Sequence, residues 1–498
     1  MEQAEAQRRH RKAPLLLLIR RLFAALVGFI STVTIARLVG PDAYGLANMS
    51  TVIFGLAQMF RDFGLTSALM RKGEISHEEQ TFLFWFNVAT TTILTLILVI
   101  SAPWVAIFYR EPVVASVMLV SVIGFWLGGL SSQHRSMLIR EMRFAEVAWI
   151  DISGILINFV VALTMGFIRA DVWAIVLGNL AGVTTTSLLS LYRSGFVPGR
   201  PRKFEGVSGL LKFGANTSIY ALSAFVSGNI GSIMIGRVLG AQPLGQYNRA
   251  SALFALPDTN LVQPITQATL PLLTHLRVNP AAYRDAYLRL VRTLSTFLLP
   301  SAVVLSFMGR PLAVTLLGDR WEPAGTALSF LAPTLAVLGL TNGINDLLVT
   351  QDRSATLRTM GLFEMIFRVG AVALGVRFGL AGVSLAFTLS TMAVCASRVI
   401  VAGRSGPVSA ADQASQLLPA LPIAAACALS LGGLQMLLSR HAQPAPMQVL
   451  AIAVVAGAAS AMTLLVAPRS RHAVIELLQT FGLPRGLRAK LAARLSSR

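Results

Sequence analysis

A chain of 498 residues with 54% hydrophobic residues, 13% charged residues and a mean hydropathy of +0.67 cannot present the surface of a water-soluble protein. Its formal charge of +20, from 42 Lys and Arg against 22 Asp and Glu, would point to nucleic acid in a soluble chain. Here roughly thirty of the basic residues fall in alternate connections between apolar runs, the positive-inside distribution, which sets nucleic acid aside as a partner. Cysteine occurs only at Cys395 and Cys427, inside apolar runs, so neither a disulfide framework nor a thiolate metal site is expected.

The basic start (Arg8, Arg9, Arg11, Lys12) runs into an apolar segment that continues past Val27 without a small-residue cleavage pattern, and reads as a retained first helix. Apolar runs of about 20 residues, enough to cross roughly 30 Å of hydrocarbon, recur from there to the end. The pattern predicts an all-α polytopic membrane protein with spans at 17–38, 43–68, 80–109, 113–135, 145–168 and 171–192, then 209–238, 245–274, 285–309, 323–349, 355–377 and 379–402, and finally 416–438 and 446–467. The expected organisation is a six-helix lobe over 1–192, a basic linker over 193–206, a second six-helix lobe over 207–405, two further helices over 406–467 and a basic tail over 468–498.

The two lobes carry a repeat. A gapless shift of 200 positions lays Leu22, Ala24, Gly28, Ile30, Ile35, Arg37, Gly40, Gly45, Asn48, Phe54 and Leu56 onto the same residue types at 222–256, eleven identities in 35 positions. Composition alone would give roughly two or three. Six spans per repeat is an even number, so both halves enter from the same side and the repeats are parallel. Basic residues mark that side through Arg71 and Lys72, Arg135 to Arg143, Arg193 to Lys203, Arg277 and Arg284, Arg353 and Arg358, and the tail. Both termini are therefore expected in the cytoplasm, with only short connections opposite. The tail, with Arg485, Arg488, Lys490 and Arg494, reads either as an interfacial amphipathic helix on anionic lipid or as a solvated topology mark.

Polar groups at membrane depth face water or a partner. In the second span Asn48, Thr51, Gly55, Gln58, Asp62 and Thr66 share one helical face beside Arg61. In the eighth, Asn260, Gln263, Gln267 and Thr274 do so, with Arg249 and Asp258 on the same helix and Pro257, Pro264 and Pro271 bending it. Asn216, Tyr220, Ser223 and Ser227 stripe the seventh. Arg37 and Arg237, at equivalent positions near the outer ends of the first and seventh spans, either cap their helices or act as gate residues. Glu364 and Arg368, four apart, are placed to pair, while Asp151 and Asp346 lack a partner nearby in sequence. Asp62, Asp258, Asp346 and Glu364 are the candidates for ion coupling. No nucleotide loop, zinc motif or nucleophile elbow occurs, so no enzyme activity and no cofactor are expected, and transport would draw on an ion gradient.

The pattern TIARLVGPDAYGLANMSTVIFGLAQMFRDFGLTSALMRK from Thr34 to Lys72, with its copy KFGANTSIYALSAFVSGNIGSIMIGRVLGAQPLGQYNRA from Lys212 to Ala250, resembles the lobe starts of the Wzx-type oligosaccharide flippases of the multidrug/oligosaccharidyl-lipid/polysaccharide exporter superfamily. The resemblance is strongest to members found with exopolysaccharide assembly. It implies a bacterial inner-membrane protein that moves an undecaprenyl-diphosphate-linked oligosaccharide to the periplasmic leaflet through a cationic lumen, with membrane lipids, a polymerase and export machinery as partners. Arg61 and Arg249 are then the expected diphosphate contacts, supported by Asn48, Gln58, Gln263 and Gln267. The alternatives are a cation-coupled drug exporter of the same superfamily, which would call for a dominant acidic pocket, and a membrane glycan polymerase, which would call for large external loops.

Overall fold

A computed structural model describes residues 26–62, 77–200, 207–351, 353–404, 407–438 and 443–466. These residues are helical throughout their ordered elements. In chain order the helices are α1 (Leu26–Val39), α2 (Pro41–Asp62), α3 (His77–Tyr109), α4 (Val113–Arg140), α5 (Phe144–Ile168), α6 (Val172–Ser194), α7 (Val207–Val238) and α8 (Ala241–Pro257). A π-helical turn, Asp258–Val262, leads into α9 (Gln263–Leu276). Then come α10 (Pro280–Leu317), α11 (Glu322–Leu331), α12 (Leu335–Thr350), α13 (Ser354–Gly375), α14 (Gly379–Arg404), α15 (Ala410–Ser415), α16 (Leu421–Leu438) and α17 (Ala445–Val466).

Among the described residues nine stretches are long and apolar enough to cross a membrane, or ten with α1 and α2 counted as one bent span. The longest of these, Arg358–Arg404, holds the packed pair α13 and α14, which turn at Gly379. Large apolar side chains stand on the outside: Trp104 is 70% exposed and Leu429 79%. Such a surface is stable only against lipid. The chain is a helical multi-pass membrane protein. The amphipathic tail and the second half of the basic linker lie outside the described residues.

Contacts divide the chain into two compact units, one of 1–225 with 236–245, the other of 226–235 with 246–498. In unit 1 the repeat hairpins turn at Gly40 (φ 83°) and Gly240 (φ 92°), the left-handed region that a side chain disfavours. Pro41 then opens α2 at a position where its missing N–H costs nothing. α1 and α2 meet at a bend of 117°. A Cβ built on Gly45 would stand 1.8 Å from the Ala241 carbonyl oxygen, and one on Gly245 1.8 Å from that of Pro41. The two copies therefore touch backbone to backbone, which explains why glycine recurs at both positions.

The rest of unit 1 is a close-packed set of α3 to α6. Ser131 donates to Ser187 at 3.1 Å, and His134 bonds Ser194 at 2.8 Å. The chain leaving α6 turns at Gly195 and lies back on α3. There Phe196 packs against Phe84 and His134, and Trp85 donates to the Gly199 carbonyl at 2.9 Å.

Unit 2 is built on α10, whose Tyr283, Tyr287, Leu294 and Leu298 are buried with Leu340, Ile344 and Leu347 of α12. Asn279 caps α10 by accepting from the Ala282 N–H, with Pro280 following it. The short α15 sits on the start of α10 through Arg284 to Asp412 (2.7 Å) and Tyr287 to Gln413 (3.0 Å). α16 and α17 pack on the later part of α10 through Ile423, Cys427 and Ile452 against Val303, Val304 and Phe307.

Candidate functional site

Polar positions within the spans fall into separate clusters. On α2, Asn48 is buried and its amide nitrogen has no acceptor among the described residues, while Thr51 turns back to the Ala47 carbonyl and Gln58 is exposed. Arg61, in the last turn of α2, lays its guanidinium over the Phe125 ring of α4 at 5.2 Å. That stacking holds the charge inside unit 1 beside Gly128, where a Cβ would come within 4.0 Å of the guanidinium. The Asp62 side chain lies outside the described residues, as do those of Asn216, Tyr220 and Asp346.

The eighth predicted span is broken where its prolines fall. α8 ends at Pro257, five residues take a π turn, and Pro264 opens the next helix. A π turn widens the helix and turns side chains out of register, which places Asp258 against α12. Its carboxylate accepts from Asn342 at 3.2 Å and from Gln263 at 3.0 Å, two neutral amides. Among the described residues no cation pairs with it. Gln267 is exposed, and Asn260 is bonded to the Leu256 carbonyl of its own helix. Arg249, midway along α8, is half-buried and donates to Asn248 at 2.6 Å. Ser223 and Ser227 are buried in α7.

Arg37 and Arg237 diverge despite their shared position. Arg37 is exposed, whereas Arg237 is half-buried over the Phe108 ring at 5.5 Å with one terminal nitrogen enclosed and, among the described residues, without an acceptor. Asp151, with no partner near it in sequence, is met by Arg135 from α4, which donates to both carboxylate oxygens at 2.7 and 2.9 Å.

The Glu364 and Arg368 pair forms at 2.7 Å, and the structure adds a third member that sequence spacing did not bring in. Arg398 of α14 donates to the other Glu364 oxygen at 2.5 Å and to Asn345 of α12 at 2.8 Å. The only sign of it in the sequence is a cation inside the apolar run TMAVCASRVIVAG, because its partners lie on two other helices.

Beside the π turn an apolar groove of about 480 Å³ is lined by Pro257, Phe297, Pro300, Leu305, Ile423 and Leu464. Unit 2 thus places a hydrocarbon-lined groove next to a polar break that carries a carboxylate.

Comparison with known proteins gives this arrangement a context. WzxC of Escherichia coli (strain K12), a lipopolysaccharide biosynthesis protein, is 24% identical over 370 residues, 73% of this chain and 74% of its own. The succinoglycan biosynthesis transport protein ExoT of Rhizobium meliloti (strain 1021) is 23% identical over 351 residues, 70% of each chain. Among solved structures, the lipid II flippase MurJ in an inward closed conformation superposes with a TM-score of 0.70 at 15% identity, covering 91% of this chain and 98% of its own. The inward-facing structure of a multidrug resistance MATE family transporter superposes on this chain with a TM-score of 0.57 at 15% identity, covering 76% of this chain and 95% of its own, and at such identities both matches show the fold. The family model described as "Polysaccharide biosynthesis protein" matches residues 34–326, more than half of the chain. The chain belongs to that polysaccharide biosynthesis protein family.

Proposed function

We propose that the protein is a flippase that moves an undecaprenyl-diphosphate-linked oligosaccharide from the cytoplasmic to the periplasmic leaflet of a bacterial inner membrane for exopolysaccharide assembly. The observation that carries the reading is the junction in unit 2, where the apolar groove at Pro257 and Phe297 adjoins the polar π turn at Asp258. A cargo with a long hydrocarbon tail and a sugar diphosphate head needs that pairing, because neither part tolerates the other's surroundings. Family membership and the transport name of ExoT support it.

In this reading both termini are cytoplasmic, the lobes span 1–192 and 207–405, and Arg61 and Arg249 contact the diphosphate. Arg37 and Arg237 flank the outer end, and the polymerase and export machinery take up the product. Coupling to an ion gradient falls to Asp258 rather than to Glu364. Both oxygens of Glu364 accept from guanidinium groups, whereas the Asp258 carboxylate accepts from two neutral amides and, among the described residues, meets no cation.

Export of labelled glycan from cells carrying single variants tests these roles. Arg61→Glu and Arg249→Glu each lower export about tenfold or more, the scale of one lost charge-assisted contact, with folded protein still in the membrane. Asp258→Asn abolishes dependence on the ion gradient. Normal export by all three variants removes these residues from the pathway.

A further inference from the structure

We infer that the Glu364, Arg368 and Arg398 cluster of unit 2 is a binding site for one small monovalent anion of halide size. The cluster joins three helices. Glu364 and Arg368 come from α13, Thr391 and Arg398 from α14, and Asn345 from α12. One Glu364 oxygen accepts from Arg368 at 2.7 Å and the other from Arg398 at 2.5 Å, so both oxygens of the one carboxylate are engaged by its two cationic neighbours. Thr391 accepts from Arg368 at 3.1 Å, Asn345 from Arg398 at 2.8 Å, and the Phe387 ring lies 4.5 Å from the Arg368 guanidinium centre.

These contacts leave two things undone. A guanidinium does not give up its proton in a protein, so two permanent cations share one carboxylate and the cluster keeps one positive charge among the described residues. Each guanidinium also retains an Nε–H that is enclosed and, among the described residues, has no acceptor. The side chains concerned are 8% and 4% exposed, so bulk water does not screen them.

The missing component must bring negative charge, accept from N–H donors and need no acceptor in return. It must also be small enough for a site between three packed helices. A water molecule meets the donors but leaves the charge. A sugar hydroxyl is neutral, and a phosphate ester carries a chain that the enclosed site does not admit. A halide meets every requirement. Its binding ties α12, α13 and α14 together, so the stability of unit 2 becomes anion-dependent.

The test uses the purified full-length protein in detergent, with chloride or bromide against gluconate at matched ionic strength. Halide raises the melting temperature by roughly 3 °C or more at saturation, the scale of a ligand at about 100 times its dissociation constant. Arg398→Gln, which leaves one guanidinium for the one carboxylate, melts at the same temperature in both salts, and Arg368→Gln does likewise. Bromide anomalous diffraction from the unmodified protein gives the result independently of any variant's folding. The expected peak lies within hydrogen-bonding reach of Nε of Arg368 and Nε of Arg398. Equal melting in halide and gluconate, a water in place of the peak, or a halide effect that survives both substitutions overturns the site. The readout is anion binding, so its failure leaves the transport reading untouched.

Discussion

The fifth and sixth spans of the two repeats, α5 with α6 and α13 with α14, are joined by equally short turns yet held together by different physics. Between α5 and α6 the contact is small residue on small residue. A Cβ on Gly178 would come 2.7 Å from that of Ala162, one on Gly182 would meet the Gly154 carbonyl at 2.9 Å, and one on Gly154 would meet Thr186 at 2.3 Å. Asn158 and Asn179 add one amide bond at 2.8 Å. Glycines and alanines four apart let two helices approach until their backbones touch, which is how association is won where lipid offers no hydrophobic drive. Between α13 and α14 that approach is confined to the turn, at Gly375 and Gly382. Deeper in the membrane the pair is joined by Glu364, Arg368, Thr391 and Arg398. A dry seam is insensitive to charge and intolerant of volume. An ionic seam is the reverse.

Removing the shared carboxylate is expected to have the largest effect. Glu364→Ala strands two buried guanidinium groups, and breaking a buried ion network from one side costs about 3–5 kcal/mol. The yield of folded protein in detergent should collapse. Replacing all three members with apolar residues of like volume (Glu364→Leu, Arg368→Met, Arg398→Met) should restore much of it, since the penalty comes from unpaired charge rather than from lost contact. A fold that tolerates Glu364→Ala alone would show that the seam is not ionic.

Volume sensitivity of the other seam comes next in size. Gly182→Val forces α5 and α6 apart against backbone, a cost of about 1–3 kcal/mol for overpacking. It is read as a drop in melting temperature of the same size in halide and in gluconate. The smallest effect lies outside the membrane, where Arg284 meets Asp412 on α15. The bond from Arg284 holds the Asp412 carboxyl down to about 2, below its ordinary value. A depressed carboxyl contributes stability that is fully present above the unfolded value of about 4 and is lost as pH falls through about 2. The melting difference between the unmodified protein and Asp412→Asn should therefore be small, constant from pH 7 to about pH 5, and vanish as the solution is acidified further. A difference that grows on acidification would assign the contribution to another group.

The same contrast explains what was legible in the sequence. Spans, the repeat and the turns at Gly40 and Gly240 follow from hydropathy and from residues whose backbone demands are local. The Glu364 and Arg368 pair was legible because i and i+4 share a helix face. Arg398, Arg135 with Asp151, and the backbone crossing of Gly45 with Ala241 were not, because each partner comes from a different helix and packing between helices leaves no period in the chain. The prolines of the eighth span announced a bend. That the bend would be a π turn that sets Asp258 against Asn342 depended on how α9 meets α12.

The central claim concerns where a lipid-linked glycan accumulates when this protein is missing. Cells lacking it, with their glycan assembly enzymes intact, should accumulate lipid-linked repeat units on the cytoplasmic face, and re-expression should clear them. Repeat units that reach the periplasmic face at the normal rate in its absence would contradict the account.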